Sequence, residues 1–161
     1  MAKQKGKKRK IGAGDVASNR YASYRYELIE RIECGIVLQG TEVKALRSSG
    51  AQLKDGYCAI RDGELWLHSV HVPPYLPASR ENHDPERARK LLLHRAEIDR
   101  MAARVSERGL TIVPTRIYFK GPRAKVEIAL ARGKDVHDKR HAIRERESRR
   151  DMERGLREAR R

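Results

Sequence analysis

Tyr57-Cys58-Ala59-Ile60-Arg61-Asp62-Gly63-Glu64-Leu65-Trp66-Leu67-His68-Ser69-Val70 reads as two β-rich runs, Tyr57–Arg61 and Glu64–Val70, joined by Asp62-Gly63. Asp-Gly between such runs suits a two-residue turn whose central residues both take positive φ, and whose twist matches that of paired strands. The stretch therefore predicts a β-hairpin. A second hairpin is expected where Leu110–Lys120 and Lys125–Ala131 flank Gly121-Pro122-Arg123. Upstream, Tyr26, Leu28, Ile32, Ile36 and Leu38 punctuate a segment that reads as two strands or one sharply bent strand, with Cys34-Gly35 as the place of the bulge or turn.

Helices fit around these strands. Val43 and Leu46, three apart behind Thr41 as a cap and ahead of Ser48-Ser49-Gly50, predict a short helix able to plug one end of a barrel. Pro73-Pro74-Tyr75-Leu76-Pro77 cannot hold a sheet ladder and reads as a loop. Asp84-Pro85-Glu86 has the form of an N-cap followed by Pro at the first helical position, and the helical signal resumes there. Leu91, Leu92, Leu93, Ile98, Met101, Ala102 and Val105 then lead to Gly109 as the residue past a helix end, with Lys90–Leu93 readable as helix or connector. Strands on both sides of a central helix, at short spacing, make the chain mainly β with peripheral helices: a small oligonucleotide-binding-like β-barrel, closed or partly open.

Charge divides the chain differently. The 161 residues carry a formal net charge of +15, yet Met1–Lys10 alone holds six Lys/Arg and no acid. Arg132–Arg161 holds twelve Lys/Arg against seven Asp/Glu, which leaves Ile11–Ala131 at only +4. The expected organisation is a disordered basic arm over 1–14, a barrel over 15–131 and a basic tail over 132–161. Basic ends of this kind seek polyanions, because each phosphate they neutralise releases a condensed counterion.

The tail has only Val136, Ile143, Met152 and Leu156 as large aliphatic side chains, too few for a buried stripe. Glu145 with Arg149 and Glu153 with Arg157 have i,i+4 spacing, each supporting a helix by a few tenths of a kcal/mol, whereas Gly155 costs about 1 kcal/mol relative to Ala. Free, such a segment is at best a fraying helix; against a phosphate-lined groove it gains charge-assisted contacts and becomes helical.

Little in the chain suggests catalysis. Cys34 and Cys58 stand alone, so neither a disulfide framework nor a zinc site is indicated. His68 with His71 and His137 with His141 have spacings a metal could use, but neither pair has a third ligand. No phosphate-binding Gly-rich loop, nucleophile elbow or His-Glu-x-x-His run occurs. No metal or cofactor is expected. No run approaches about 18 apolar residues, so the expected setting is the cytoplasm, away from membranes. An aromatic content of 5% limits base stacking, so RNA shape and phosphate contacts should outweigh sequence reading. A structural or assembly protein of the ribosome fits the same features, and a nuclease or RNA-modifying enzyme is the other class to separate from them.

Three segments carry a resemblance: Gly35-Ile36-Val37-Leu38-Gln39-Gly40-Thr41-Glu42-Val43-Lys44-Ala45-Leu46-Arg47, then Arg89-Lys90-Leu91-Leu92-Leu93, then Gly133-Lys134 with His137-Asp138-Lys139-Arg140. In that order and spacing, from about Asn19 to the C-terminus, the chain resembles the SmpB family of SsrA-binding proteins. The resemblance implies a non-enzymatic role in trans-translation, the rescue of bacterial ribosomes stalled without a usable stop codon. The barrel would hold the tRNA-like domain of tmRNA and help deliver alanyl-tmRNA to the A site with elongation factor Tu and GTP. The tail would occupy the vacant mRNA channel and the decoding centre of the small subunit, becoming helical on the ribosome.

Carried onto this sequence, the resemblance places tmRNA contacts at Asn19, Arg20, Tyr24, Glu33, Lys90, Leu91 and Leu92. Tyr24 stands where the family often has His, keeping a ring that stacks on an unpaired base but losing the protonatable nitrogen. Leu92 is expected to pack and shape the surface. Thr41 replaces a Trp common in the family, which bears on local packing. The ribosome-facing tail would use Gly133, Lys134, His137, Asp138, Lys139, Arg140, Arg144 and Arg146. No extended apolar seam for a partner is visible, so a monomer is expected.

Overall fold

A computed structural model describes residues 14–78, 80–134 and 136–158. The chain order is β1 (Asp15–Ser18), α1 (Arg20–Arg25), β2 (Tyr26–Ile36), α2 (Gly40–Ser49), β3 (Tyr57–Arg61), β4 (Glu64–His68), β5 (Arg89–Leu92), α3 (Arg95–Arg108), β6 (Thr111–Lys120), β7 (Arg123–Gly133) and α4 (Val136–Glu158). Antiparallel pairing runs β6-β3-β4-β5-β2-β7, and β7 returns to β6, so six strands close into a ring with β1 added on the free length of β6. The expected small barrel is this closed ring. The expected arm over 1–14 lies outside the described residues apart from Gly14.

Both predicted hairpins are present. Asp62 and Gly63 have φ of 52° and 71° and join Arg61 to Glu64 directly, so Cys58↔Leu67 and Ile60↔Leu65 point inward while Tyr57, Ala59, Trp66 and His68 point outward. Gly121, at φ 60°, opens the two-residue link between the paired Lys120 and Arg123. Inside the ring, Leu46, Leu53, Leu65, Leu67, Leu91, Met101, Ile117, Ile128 and Leu130 are fully buried in one connected core.

Four local expectations are corrected. Tyr26–Ile36 is one strand, and its register slips between Leu28 and Glu30 rather than at Cys34-Gly35. There Gly35 answers packing: a Cβ on it would sit 3.2 Å from Leu92 Cβ. Helix α2 begins at Gly40, because Glu42 reaches back to accept from the Gln39 amide at 2.7 Å; Thr41 instead meets His83 Nδ1 at 2.9 Å. Asp84-Pro85-Glu86 is a turn, in which the Asp84 side chain and carbonyl accept from Glu86 and Arg87. The helix waits until Arg95, and Arg89–Leu92 is strand β5, since pairing with both β2 and β4 outweighs the apolar spacing that suggested a helix.

Arg89 and Glu42 are fully buried and joined by 2.7 Å. Arg87 holds the same carboxylate at 3.0 and 2.5 Å, while Arg89 also donates to the carbonyls of Val70 and Pro85. Burial pushes the Glu42 carboxyl up, but the hydrogen bonds from Arg87, the Gln39 amide and Arg89 outweigh it and hold it below its ordinary value. This network ties α2 to β5 and to the loop before it, so α2 is held to the ring by charge as well as by apolar packing.

Helix α4 is helical here, where the sequence reading has it form against a groove. The described side chains from Ile143 to Leu156 are all exposed, in keeping with a segment that has no apolar stripe.

Candidate RNA interface

Pro114 lies within β6, and the register skips between Pro114 and Arg116. The resulting bulge frees two carbonyls: Pro114 O accepts from Asn19 Nδ2 at 3.0 Å and Thr115 O from the Asn19 amide at 2.7 Å. Asn19 Nδ2 also donates to Leu53 O, and Asn19 Oδ1 accepts from Ala22 N, capping α1. Both amide protons are thus used inside the fold. Asn19 seats α1, while Arg20 is exposed at its start and Tyr24 is half-buried.

Around α1 the fold gathers residues outside the motif segments. Tyr21, Arg25, Lys54 and Tyr57 line a cleft of about 270 Å³ beside Asn19. Lys54 Nζ sits 5.1 Å from the Tyr21 ring centroid, and Tyr57 stacks on His68 with centroids 5.2 Å apart at 18°. The Asp62-Gly63 turn foretells the second pair: counting back from Arg61↔Glu64 places Tyr57 opposite His68. The tail begins at this same end, where Gly133 pairs with Tyr26, Lys134 N donates to Arg25 O at 3.1 Å and Lys134 Nζ to Ser23 O at 2.9 Å.

The other predicted contacts lie elsewhere. Glu33 and Leu92 share a cleft of about 470 Å³ with Gly35, His94, Glu97 and Lys125. Seven residues of extended strand separate Glu33 from Tyr26, about 23 Å along the ring wall. Leu92 is 51% exposed and Leu91 only 1%, so the expected roles exchange: Leu91 packs in the core and Leu92 faces outward, as the alternation of β5 requires. Lys90, also outward, pairs with Glu64.

Glu33 is held by neighbours rather than left as a bare surface charge. The Tyr118 hydroxyl donates to Oε2, and Lys120 and Lys125 approach Oε1 at 3.5 and 3.9 Å. The bond from Tyr118 draws its carboxyl below the ordinary value against a smaller opposing effect of burial. Tyr118 itself, partly desolvated and facing that carboxylate, is pushed up to about 12. Arg116 lies 4.6 Å from the Tyr118 ring centroid and bonds Glu127. At neutral pH the cluster is a fixed acceptor set among cations.

Gly133 is exposed and Lys134 half-buried, and Arg144 and Arg146 are exposed on α4. The side chains of His137, Asp138, Lys139 and Arg140 lie outside the described residues. Burial pushes the Cys34 thiol up to about 12 and the Cys58 thiol well above its usual range, so both stay protonated at neutral pH. Among the described residues no three His, Cys, Asp or Glu are grouped to hold a metal, and no helix is long and apolar enough to cross a membrane.

A closed antiparallel ring with cations and aromatics on its outside, and an Arg-rich helix leaving one end, defines a basic protein of the polyanion-binding class. A family model described as SmpB protein matches residues 16–158. The chain belongs to the SmpB family. It is 51% identical over 160 residues to the SsrA-binding protein of Thermobifida fusca, covering 99% of this chain and all of that one. It is 54% identical over 139 residues to the SsrA-binding protein of Parafrankia sp., covering 86% and 88%. A chain from the solved structure described as "tmRNA-SmpB: a journey to the center of the bacterial ribosome" is 43% identical, with a TM-score of 0.65 over 80% of this chain and 94% of its own.

Proposed function

We propose that the chain binds tmRNA and carries alanyl-tmRNA to stalled ribosomes, acting as a binding protein rather than an enzyme. The observation that carries this reading is that the family match continues through the tail to residue 158, joining ring and tail in one unit. On this reading the ring wall takes the tRNA-like domain, with Arg20, Tyr24, Glu33, Lys90 and Leu92 at its surface, while Asn19 and Leu91 position that surface from within. Elongation factor Tu with GTP joins through tmRNA, and the protein works as a monomer in the cytoplasm.

The tail enters the vacant mRNA channel of the small subunit. Arg144 and Arg146 meet phosphates, Lys134 holds the root of the tail to α1, and His137, Asp138, Lys139 and Arg140 lie near the decoding centre in place of a codon–anticodon helix. The domain division is a ring over 15–131 and a tail over 132–161, with Lys134 anchoring the root of the tail to α1. Crosslinking in native cells followed by sequencing of the recovered RNA tests the reading. Dominant tmRNA with decoding-region ribosomal RNA as a second signal is expected; reads spread over ribosomal RNA without tmRNA excess would move the protein to the assembly class.

A further inference from the structure

The two groups of contact residues stand about 23 Å apart along β2, and the outer face of β3, β4 and β5 lies between them. Tyr57, 47% exposed, borders the α1 cleft and stacks on His68. Two residues along β4 from His68 is Trp66, the only tryptophan of the chain, whose cross-strand partners are Ala59 on one side and Lys90 on the other. Beyond Lys90 comes Leu92, which is paired with Gly35 and shares the Glu33 cleft. The path from one contact group to the other is thus continuous.

A sheet face turned to solvent normally carries polar side chains. Here it carries Tyr57, His68, Trp66 and Leu92 interleaved with Arg61 and Lys90, and Trp66 is half-buried without packing on the core. Flat rings alternating with cations on an exposed sheet suit unstacked nucleotides, with rings meeting bases or riboses and cations meeting phosphates.

We propose that Trp66 is a stacking contact for RNA and the centre of a platform that links the α1 end of the interface to the Glu33–Leu92 end. The proposal rests on the reading that the ring binds the tRNA-like domain of tmRNA, and adds to it a surface and a residue. Ala59, opposite Trp66, is its small cross-strand neighbour on one side, and Lys90 supplies a phosphate partner on the other once RNA competes with Glu64.

The test uses the full chain and an in vitro transcript of the tRNA-like domain. Excitation of the indole reports on one residue, so titration should quench wild-type emission with the same midpoint as a gel-shift isotherm. Trp66→Ala should weaken binding about tenfold, as expected for one lost base–aromatic stack, while Trp66→Phe stays within about threefold. Both variants are checked for a wild-type circular dichroism spectrum. Tight binding with unchanged emission, together with Trp66→Ala within twofold of wild type, would overturn the platform and leave tmRNA binding standing. If wild type does not bind the transcript, the tmRNA reading fails and the platform falls with it.

Discussion

Two truncations that differ by only two residues should behave differently. Deleting 135–161 removes ten Lys/Arg and seven Asp/Glu but cuts after Lys134. Deleting 133–161 also removes the Tyr26↔Gly133 pairing and the bond from Lys134 N to Arg25 O. At about 1 kcal/mol net for each backbone contact, the longer deletion costs about 2 kcal/mol, and it falls on α1. For a ring of this size that lowers Tm by about 5–10 °C. The shorter deletion leaves Tm within about 2 °C, since the described side chains of α4 from 143 to 156 are exposed and leave no cavity. Binding of labelled tRNA-like domain should stay within about threefold for the shorter deletion and weaken further for the longer one. Peptide tagging on a message without a stop codon should be abolished by both. The division of labour is refuted if the shorter deletion loses RNA affinity and tagging together, and the α1 anchor is refuted if the two deletions melt alike.

Glu42→Gln leaves Arg89 buried without its carboxylate and should cost about 3–5 kcal/mol, read as a lower urea midpoint. Because the folded carboxyl sits below its ordinary value, the stability Glu42 contributes is full above the ordinary carboxylate range and fades as pH falls through the depressed one. Melts of wild type between pH 7 and pH 3 should therefore show an acid loss that Glu42→Gln lacks. Gly50→Ala should destabilise by about 2–3 kcal/mol, because φ is +75° and the new Cβ would meet Val16 O at 2.5 Å; thermal melting checks it. Tyr118→Phe removes the main cause of the low Glu33 value, so the Glu33 carboxyl titration followed by NMR should move up toward the ordinary range while the melt changes little.

Much of the fold was legible where short-range rules decide it. Asp62-Gly63 and Gly121-Pro122 announce turns by backbone geometry alone, and Gly109, at φ 59°, ends α3 as its lack of a side chain suggests. Misreadings fell where distant partners decide. Arg89–Leu92 has helical apolar spacing, yet two neighbouring strands recruit it, and this sets Leu91 inward and Leu92 outward. Nor does the local sequence show that Asn19 donates to carbonyls at a bulge ninety-five residues along the chain. Tyr118 gives no local signal of its role, since its partner Glu33 is eighty-five residues distant. The motif segments point to the proposed contact residues without showing that these stand at two ends of the wall.

In the proposed mechanism, that separation gives the tail its place. Its root is fixed, because Lys134 is bonded to α1 at the same end of the ring that carries Arg20, Tyr24 and the Tyr57–His68 stack. Beyond the root, the 23 residues of α4 span about 35 Å. From Ile143 to Leu156 none of the described side chains is buried, so the ring contributes little to holding that stretch of the helix. Its helical pairs, Glu145 with Arg149 among them, supply only tenths of a kcal/mol each. In that mechanism most of the free energy that orders the tail would come from the phosphates around it. A channel already filled by message would withhold those phosphates and the space, so occupancy would serve as the discriminating signal. On the proposed reading, ring affinity brings the RNA, and competition for the groove decides where it is used.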